Sequence, residues 1–218
     1  MVSPDPLRRP PVPRAARRLD KERAILREAE AQFARFGFEG ASLESIGAAV
    51  GISRHALLYY FPSKEQLYRR VLDDVLAHWL QGMGELARAA DPAAGLRSYI
   101  AAKLRSSRER PDGSRVFTKE VMAGAPHYAD AISGQVLPVL RADVRAFQRW
   151  ARAGLVRRLD FRHLLFTIWA MTQAYADHAP QFALLLGKEV LQAADFNAAQ
   201  QVIEELVLGA LRPLPTAA

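Results

Sequence analysis

The stretch Ser42–Lys64, SLESIGAAVGISRHALLYYFPSK, decides the fold, because two short helices, a tight turn and a sharp exit are written into it. Ser42 is a good N-cap, and Leu43, Ile46 and Val50 follow at the three- and four-residue spacing of one buried helical face. This spacing predicts a helix over Leu43–Val50. Gly51 supplies the backbone freedom that a turn between crossed helices requires, Ile52 plugs the turn, and Ser53 caps a second helix over Arg54–Phe61. Leu57, Leu58 and Phe61 make the buried side of that second helix, which turns Arg54, His55 and Tyr59 outward. Pro62 disfavours helix at Phe61, and Ser63-Lys64-Glu65-Gln66 opens a new helix as a capping box. Together these features describe a helix-turn-helix whose second helix is built to enter a DNA groove.

Within it, Arg54 and His55 stand near the N-terminus of the reading helix, where side chains meet base edges, and Arg54 can pair with guanine. Ser42, Tyr59, Tyr60 and Lys64 are placed for phosphate oxygens, and Ser53 and Ala56 belong to the same DNA-facing set. Tyr60 fits a core position equally well.

Composition bounds the rest. A chain of 218 residues that is 50% hydrophobic can bury a sizeable core as one large or two small domains. It has no cysteine, which removes disulfides, thiolate catalysis and cysteine-ligated metals and fits a reducing cytoplasm. No apolar run approaches the roughly 20 residues of a membrane helix, so no membrane partner is expected. The net charge of +7 is unevenly placed: residues 1–72 hold 13 Lys or Arg against 8 Asp or Glu, and the remainder 17 against 15. That distribution suits a protein that meets phosphate at one end only.

Residues 1–19 contain five prolines and five arginines and read as a disordered arm, with Arg14, Arg17 and Arg18 available to a minor groove or to phosphates. Asp20 caps a first helix over Lys21–Phe36, with Ile25, Ala29, Phe33 and Phe36 as its apolar stripe and Gly37 as its end. After Ser63 a helix of roughly 20 residues or more carries Leu67, Val71, Val75, Leu76, Trp79, Leu80 and Met83. Further helices are expected over Pro92–Glu109, Gly113–Ala123, Tyr128–Ala153, Phe161–Leu186 and Asp195–Leu211, with Pro111 and Pro126 as stops. No stretch alternates as a strand does, so the fold class is all-α: an N-terminal three-helix DNA-binding domain over 20–66 and a larger helical domain over 67–218.

Tyr59, Tyr60, Phe61, Ser63, Lys64 and Glu65, behind a helix-turn-helix, resemble the TetR family of one-component bacterial repressors. LLYYFPSKEQLY (Leu57–Tyr68), VMAGAP (Val121–Pro126) and IWAMTQAYADHAPQ (Ile168–Gln181) are similar to its pyrimidine-utilisation branch. The sequence departs from that branch at Arg54-His55-Ala56, where Lys-Thr-Asn is expected, so the operator differs even where the architecture does not. The resemblance implies a homodimer bound to a double-stranded palindromic operator and released by a small-molecule effector, uracil being one candidate. It also assigns Trp79 and Gln173 to the effector.

The residues themselves support a pocket. Trp169, Gln173 and Asp177 are spaced four apart on one helical face. A glutamine amide can pair with the imide edge of a pyrimidine while a tryptophan stacks on its ring. Phe117, Met122 and Tyr128 are candidate walls. On the last helix, Val202, Ile203, Leu206, Val207 and Ala210 make a broad apolar face for dimerisation. Nothing points to an enzyme or a cofactor. The five histidines form no metal-binding pair, and neither a phosphate loop nor a nucleophile elbow occurs, although His127 lies close to Glu120. The alternatives are an activator, an effector-independent DNA-binding protein, or a regulator with a bulkier hydrophobic effector.

Overall fold

A computed structural model describes residues 14–213, which contain helices and turns and no strand. The chain divides into two compact units, one ending at Tyr68 and the other beginning at Arg69.

In the first unit, α1 (Arg14–Gly40), α2 (Leu43–Ala49) and α3 (Arg54–Tyr60) pack with the opening turn of α4 (Lys64–Leu86). Ile25, Ala29, Phe33, Ile46, Leu57 and Leu67 are fully buried, and Phe33 meets Tyr68 edge-on with ring centroids 4.8 Å apart. Two expectations change here. α1 begins at Arg14, so Asp20 lies inside the helix and does not cap it, and residues 14–19 of the arm are helical; residues 1–13 of that arm lie outside the described residues. Phe36 is half exposed although it shares the angular side of Ile25, Ala29 and Phe33: it stands at the end of the stretch, directly before the Gly37 break, with the Arg35 guanidinium over its ring at 4.9 Å. At Gly37 the backbone leaves the helical region, with φ 73° and ψ 178°, so the long helical stretch ends there as expected and a short helical segment follows to Gly40.

The turn has a second glycine that its reading passed over. A Cβ at Gly47 would stand 2.8 Å from the Ile52 carbonyl oxygen, where the Ile52 N–H also donates to the Gly47 carbonyl at 2.9 Å. Only glycine lets α2 and the turn approach this closely. Gly51 takes φ 71°, as its place between the helices requires.

The second unit holds α5 (Pro92–Glu109), α6 (Pro111–Met122), the single turn α7 (Ala129–Ala131), a π-helical turn Ile132–Val136, α8 (Leu137–Arg152), α9 (Phe161–Asp177), α10 (Ala179–Leu185) and α11 (Ala193–Leu211). α5 is its centre and packs on α6, α9 and α11. Leu96, Ile100, Phe147, Leu165 and Ile168 form the fully buried heart of the core. Asp91 and Asp160 cap α5 and α9 by accepting backbone N–H bonds.

Pro111 opens α6, because proline is well tolerated in a first helical turn. The helix expected over Phe161–Leu186 breaks at His178, where Pro180 cannot donate into the ladder and instead starts α10. The helix expected over Tyr128–Ala153 is interrupted by the π-helical turn, an arrangement found most often at functional sites.

Asp143 on α8 is fully buried and neither carboxylate oxygen has a hydrogen-bond partner. Burial pushes its pKa up to about 7. Since the folded pKa lies above the unfolded one, the folded state binds more protons between the two, and stability falls as pH rises from about 4 to about 7. Asp143→Asn is therefore expected to match the natural chain near pH 4 and to exceed it by about 2–4 kcal/mol at pH 8. Urea unfolding at both pH values measures this; an equal difference at the two would refute it.

Candidate functional site

The first candidate surface is the exposed side of α3. Ser42 accepts from the Ser45 N–H at 3.1 Å and Ser53 from the Ala56 N–H at 3.2 Å, so each serine fixes the start of its helix. Leu57 and Phe61 are buried and Leu58 half-buried. Arg54, His55 and Tyr59 are exposed, Tyr59 at 72%, while Tyr60 and Ala56 are half-buried. Arg54 Nε pairs with Glu44 Oε1 across the turn at 2.9 Å, which holds the guanidinium over the junction of α2 and α3. Arg18 of α1 lies over the Tyr59 ring at 5.6 Å. Lys64 donates to the Glu39 carbonyl at 3.1 Å and stands over the Phe38 ring at 4.7 Å. It thus ties the end of α1 to the start of α4 and keeps two further N–H donors.

The second candidate is a cavity of about 310 Å³ inside the second unit, walled by α4, α5, α6, the π-helical turn and α9. Trp79, Phe117, Met122, Trp169 and Gln173 line it, as the sequence suggests. Trp79 and Phe117 meet edge-on at 4.8 Å. The Trp169 indole N–H is spent on the Tyr99 hydroxyl at 2.5 Å, which fixes the ring. Gln173 is half-buried, and its amide has no hydrogen-bond partner among the described residues.

Two expected residues do not line the cavity. Tyr128 is fully buried, packs against Phe117 at 6.1 Å and donates to Asp73 Oδ1 at 2.6 Å, so it is core behind the wall. Asp177 accepts from Ser114 Oγ at 2.8 Å and from Thr118 Oγ1 at 2.7 Å. This carboxylate fastens α6 to α9 and, by taking the Thr118 proton, leaves that hydroxyl oxygen as an acceptor beside the cavity.

Leu76, Met83, Lys103, Thr118, Val121, Ile132 and Val136 also line the cavity, and sequence reasoning missed them. For Lys103 a signal existed: it falls in register with Leu96, Tyr99, Ile100 and Ser107 on the buried side of α5. His127 and Glu120, the pair considered for chemistry, form a loop clasp. Buried Glu120 accepts from the His127 backbone N–H at 2.7 Å and lies 3.3 Å from its Nδ1. No metal-binding cluster of acidic, His or Cys residues occurs among the described residues, and no helix there is long and apolar enough to cross a membrane.

The apolar face of α11 separates into two stripes. Ile203 and Val207 are buried in their own core, which corrects their assignment to dimerisation. Val202, Leu206 and Ala210 remain exposed, the first two at 56% and 59%. The four-residue period explains the split, since 199, 203, 207 and 211 share one line along the helix and 202, 206 and 210 the next.

Residues 25–71 match the family described as bacterial regulatory proteins, tetR family, and residues 72–214 match the YcdC-like protein C-terminal region of that family. The chain is 37% identical over 193 residues to the HTH-type transcriptional regulator RutR of Escherichia coli, covering 88% of this chain and 91% of that protein. It is 29% identical over 130 residues to the HTH-type transcriptional repressor NicS of Pseudomonas putida, covering 57% and 61%. A TetR family transcription regulator from Marinobacter aquaeolei superimposes with a TM-score of 0.69 at 20% identity, covering 92% of this chain and 100% of that one, which speaks to fold alone. These relatives are regulators and not enzymes. The chain belongs to the TetR family of transcriptional regulators.

Proposed function

We propose that this regulator represses transcription from the cytoplasm by binding a palindromic operator as a homodimer, and that a small planar effector, of which uracil is the leading pyrimidine candidate, releases it. The cavity carries this reading. Three aromatic rings and an unpartnered glutamine amide converge there, and α4, which supplies Leu76, Trp79 and Met83, runs on into the DNA-reading unit as far as Lys64. A volume of about 310 Å³ lies at the lower end of the roughly 300–1,000 Å³ of ligand pockets, which favours a single ring over a bulky hydrophobic compound.

In this mechanism, residues 1–66 read DNA, with Ser42, Ser53, Arg54, His55, Ala56, Tyr59, Tyr60 and Lys64 at the interface. The dimer places its two α3 helices about 34–36 Å apart, one turn of DNA. An effector that binds better when α4 is tilted shifts the population toward a spacing the operator does not fit, by its differential affinity for the two states. A thermal-shift panel of pyrimidines and purines, followed by operator release in fluorescence anisotropy, tests the reading; no response to any of them would remove the nucleobase assignment.

Arg54→Ala is expected to cost about 1–3 kcal/mol on operator DNA and little on random DNA, because a bidentate arginine–guanine pair is read only in the correct sequence. Lys64→Ala should lower both affinities and flatten the salt dependence by about one charge. Binding titrations at several salt concentrations separate the two, and equal loss on both DNAs for Arg54→Ala would contradict its role.

A further inference from the structure

The cavity contains a cation that no group among the described residues pairs with. Lys103 of α5 is buried, lines the cavity, and holds its ammonium 4.7 Å from the centre of the Trp79 ring. Among the described residues no carboxylate reaches ion-pair distance of Nζ and no side chain or carbonyl accepts from it. His78 and Glu85 of α4 and Tyr99, Arg105 and Glu109 of α5 line a neighbouring groove that Lys103 also borders, and none of them pairs with it. The other polar groups of the cavity, the Thr118 hydroxyl and the Gln173 amide, carry no charge.

Resting on the effector-cavity reading above, we propose that the effector is a planar acid, a ring bearing a carboxylate or an ionised ring oxygen, and that Lys103 neutralises that anionic edge while Trp79, Phe117 and Trp169 hold the ring. An isolated buried ammonium is costly, and a ligand that brings its own counter-charge recovers the cost on binding. The Trp79 face attracts the ammonium and holds it in place without satisfying its N–H donors. Burial pushes the Lys103 pKa down to about 8, so at neutral pH the amine still keeps its proton. A neutral ring could use the Gln173 amide but would leave the cation desolvated and unpaired, so neutral and anionic ligands of one shape are discriminated at this residue.

The test is isothermal titration of the full chain at pH 7 with three probes: uracil, 6-carboxyuracil and benzoate. The carboxylated pyrimidine is expected to bind at least tenfold tighter than uracil. Lys103→Met should cost it at least thirtyfold while leaving uracil binding as tight or making it tighter, since a neutral ring no longer desolvates an unpaired ion. Lys103→Arg, which keeps the charge, should recover part of the loss. Lys103→Met should also raise the melting temperature, since it replaces a desolvated ion by an apolar chain of similar length, so loss of fold does not confuse the result. Uracil binding as tightly as its carboxylated form, or Lys103→Met binding both as the natural chain does, overturns the proposal. The underlying reading fails separately. If benzoate binds through Lys103 and neither pyrimidine does, the acid assignment stands and the pyrimidine edge is wrong; if uracil alone binds, the reverse holds.

Discussion

The double variant Val202→Arg, Leu206→Arg is expected to be a folded monomer that binds a palindromic operator roughly 10²- to 10⁴-fold more weakly than the natural chain. The size follows from linkage: in a two-fold dimer the second half-site is engaged at high effective concentration, and a monomer forfeits that gain. Both side chains are more than half exposed, so arginine at these positions meets water in the free chain and adds no buried charge. In a symmetric interface each change appears twice, and four guanidinium groups would be forced together. Phe166 and Ala170 are also exposed, on α9, a helix that α11 packs against, and add apolar surface there. Ile203→Ala, by contrast, should destabilise the subunit by about 2–5 kcal/mol without a specific effect on association, because that side chain packs inward. Sedimentation equilibrium and operator titration measure both quantities. A double variant that stays dimeric would place the interface elsewhere.

The contrast between 202 and 203 shows where sequence stops being informative. The helix-turn-helix is a local construction: caps at Ser42 and Ser53, a left-handed glycine at Gly51 and Pro62 at the exit each act within a few residues, so α2 and α3 are legible directly. α11 is amphipathic with too wide an apolar face, and only the packing of α5 and α9 decides which stripe is covered. The cavity is non-local in the same way. Its aromatic members announce themselves by type, whereas Thr118 enters through the fastening of α6 to α9 at Asp177, 59 residues away in sequence. Tyr128, a candidate wall, and Asp177, which follows Trp169 and Gln173 at four-residue spacing, support the wall instead of forming it. Lys103 and Asp143 share one sequence signature, a charge in the apolar register of a helix, and have different surroundings: one borders a cavity, the other is closed in. Pattern alone does not separate a buried ion that waits for a ligand from one that merely costs stability.

The second large effect concerns the response to the effector. Gln173→Leu is expected to bind operator as the natural chain does and to remain bound at effector concentrations that release it, a permanently repressing variant. Leucine keeps most of the volume, so the cavity walls and α9 stand, but the amide's acceptor and donors are gone. Losing two hydrogen bonds to a buried ring edge costs about 2–4 kcal/mol, which is roughly 30- to 1,000-fold in effector affinity. Release depends on the difference in effector affinity between two states, so an effector that no longer binds either state shifts nothing. Tyr128→Phe provides the control. Its hydroxyl is committed to Asp73 and away from the cavity, so it should lower stability while leaving effector affinity within about threefold. Titrating effector into preformed operator complexes, with melting curves for each variant, distinguishes the two residues. Gln173→Leu complexes that dissociate at the natural effector concentration would mean that the ring is held by the aromatic walls and Lys103 alone, and that the glutamine faces empty space.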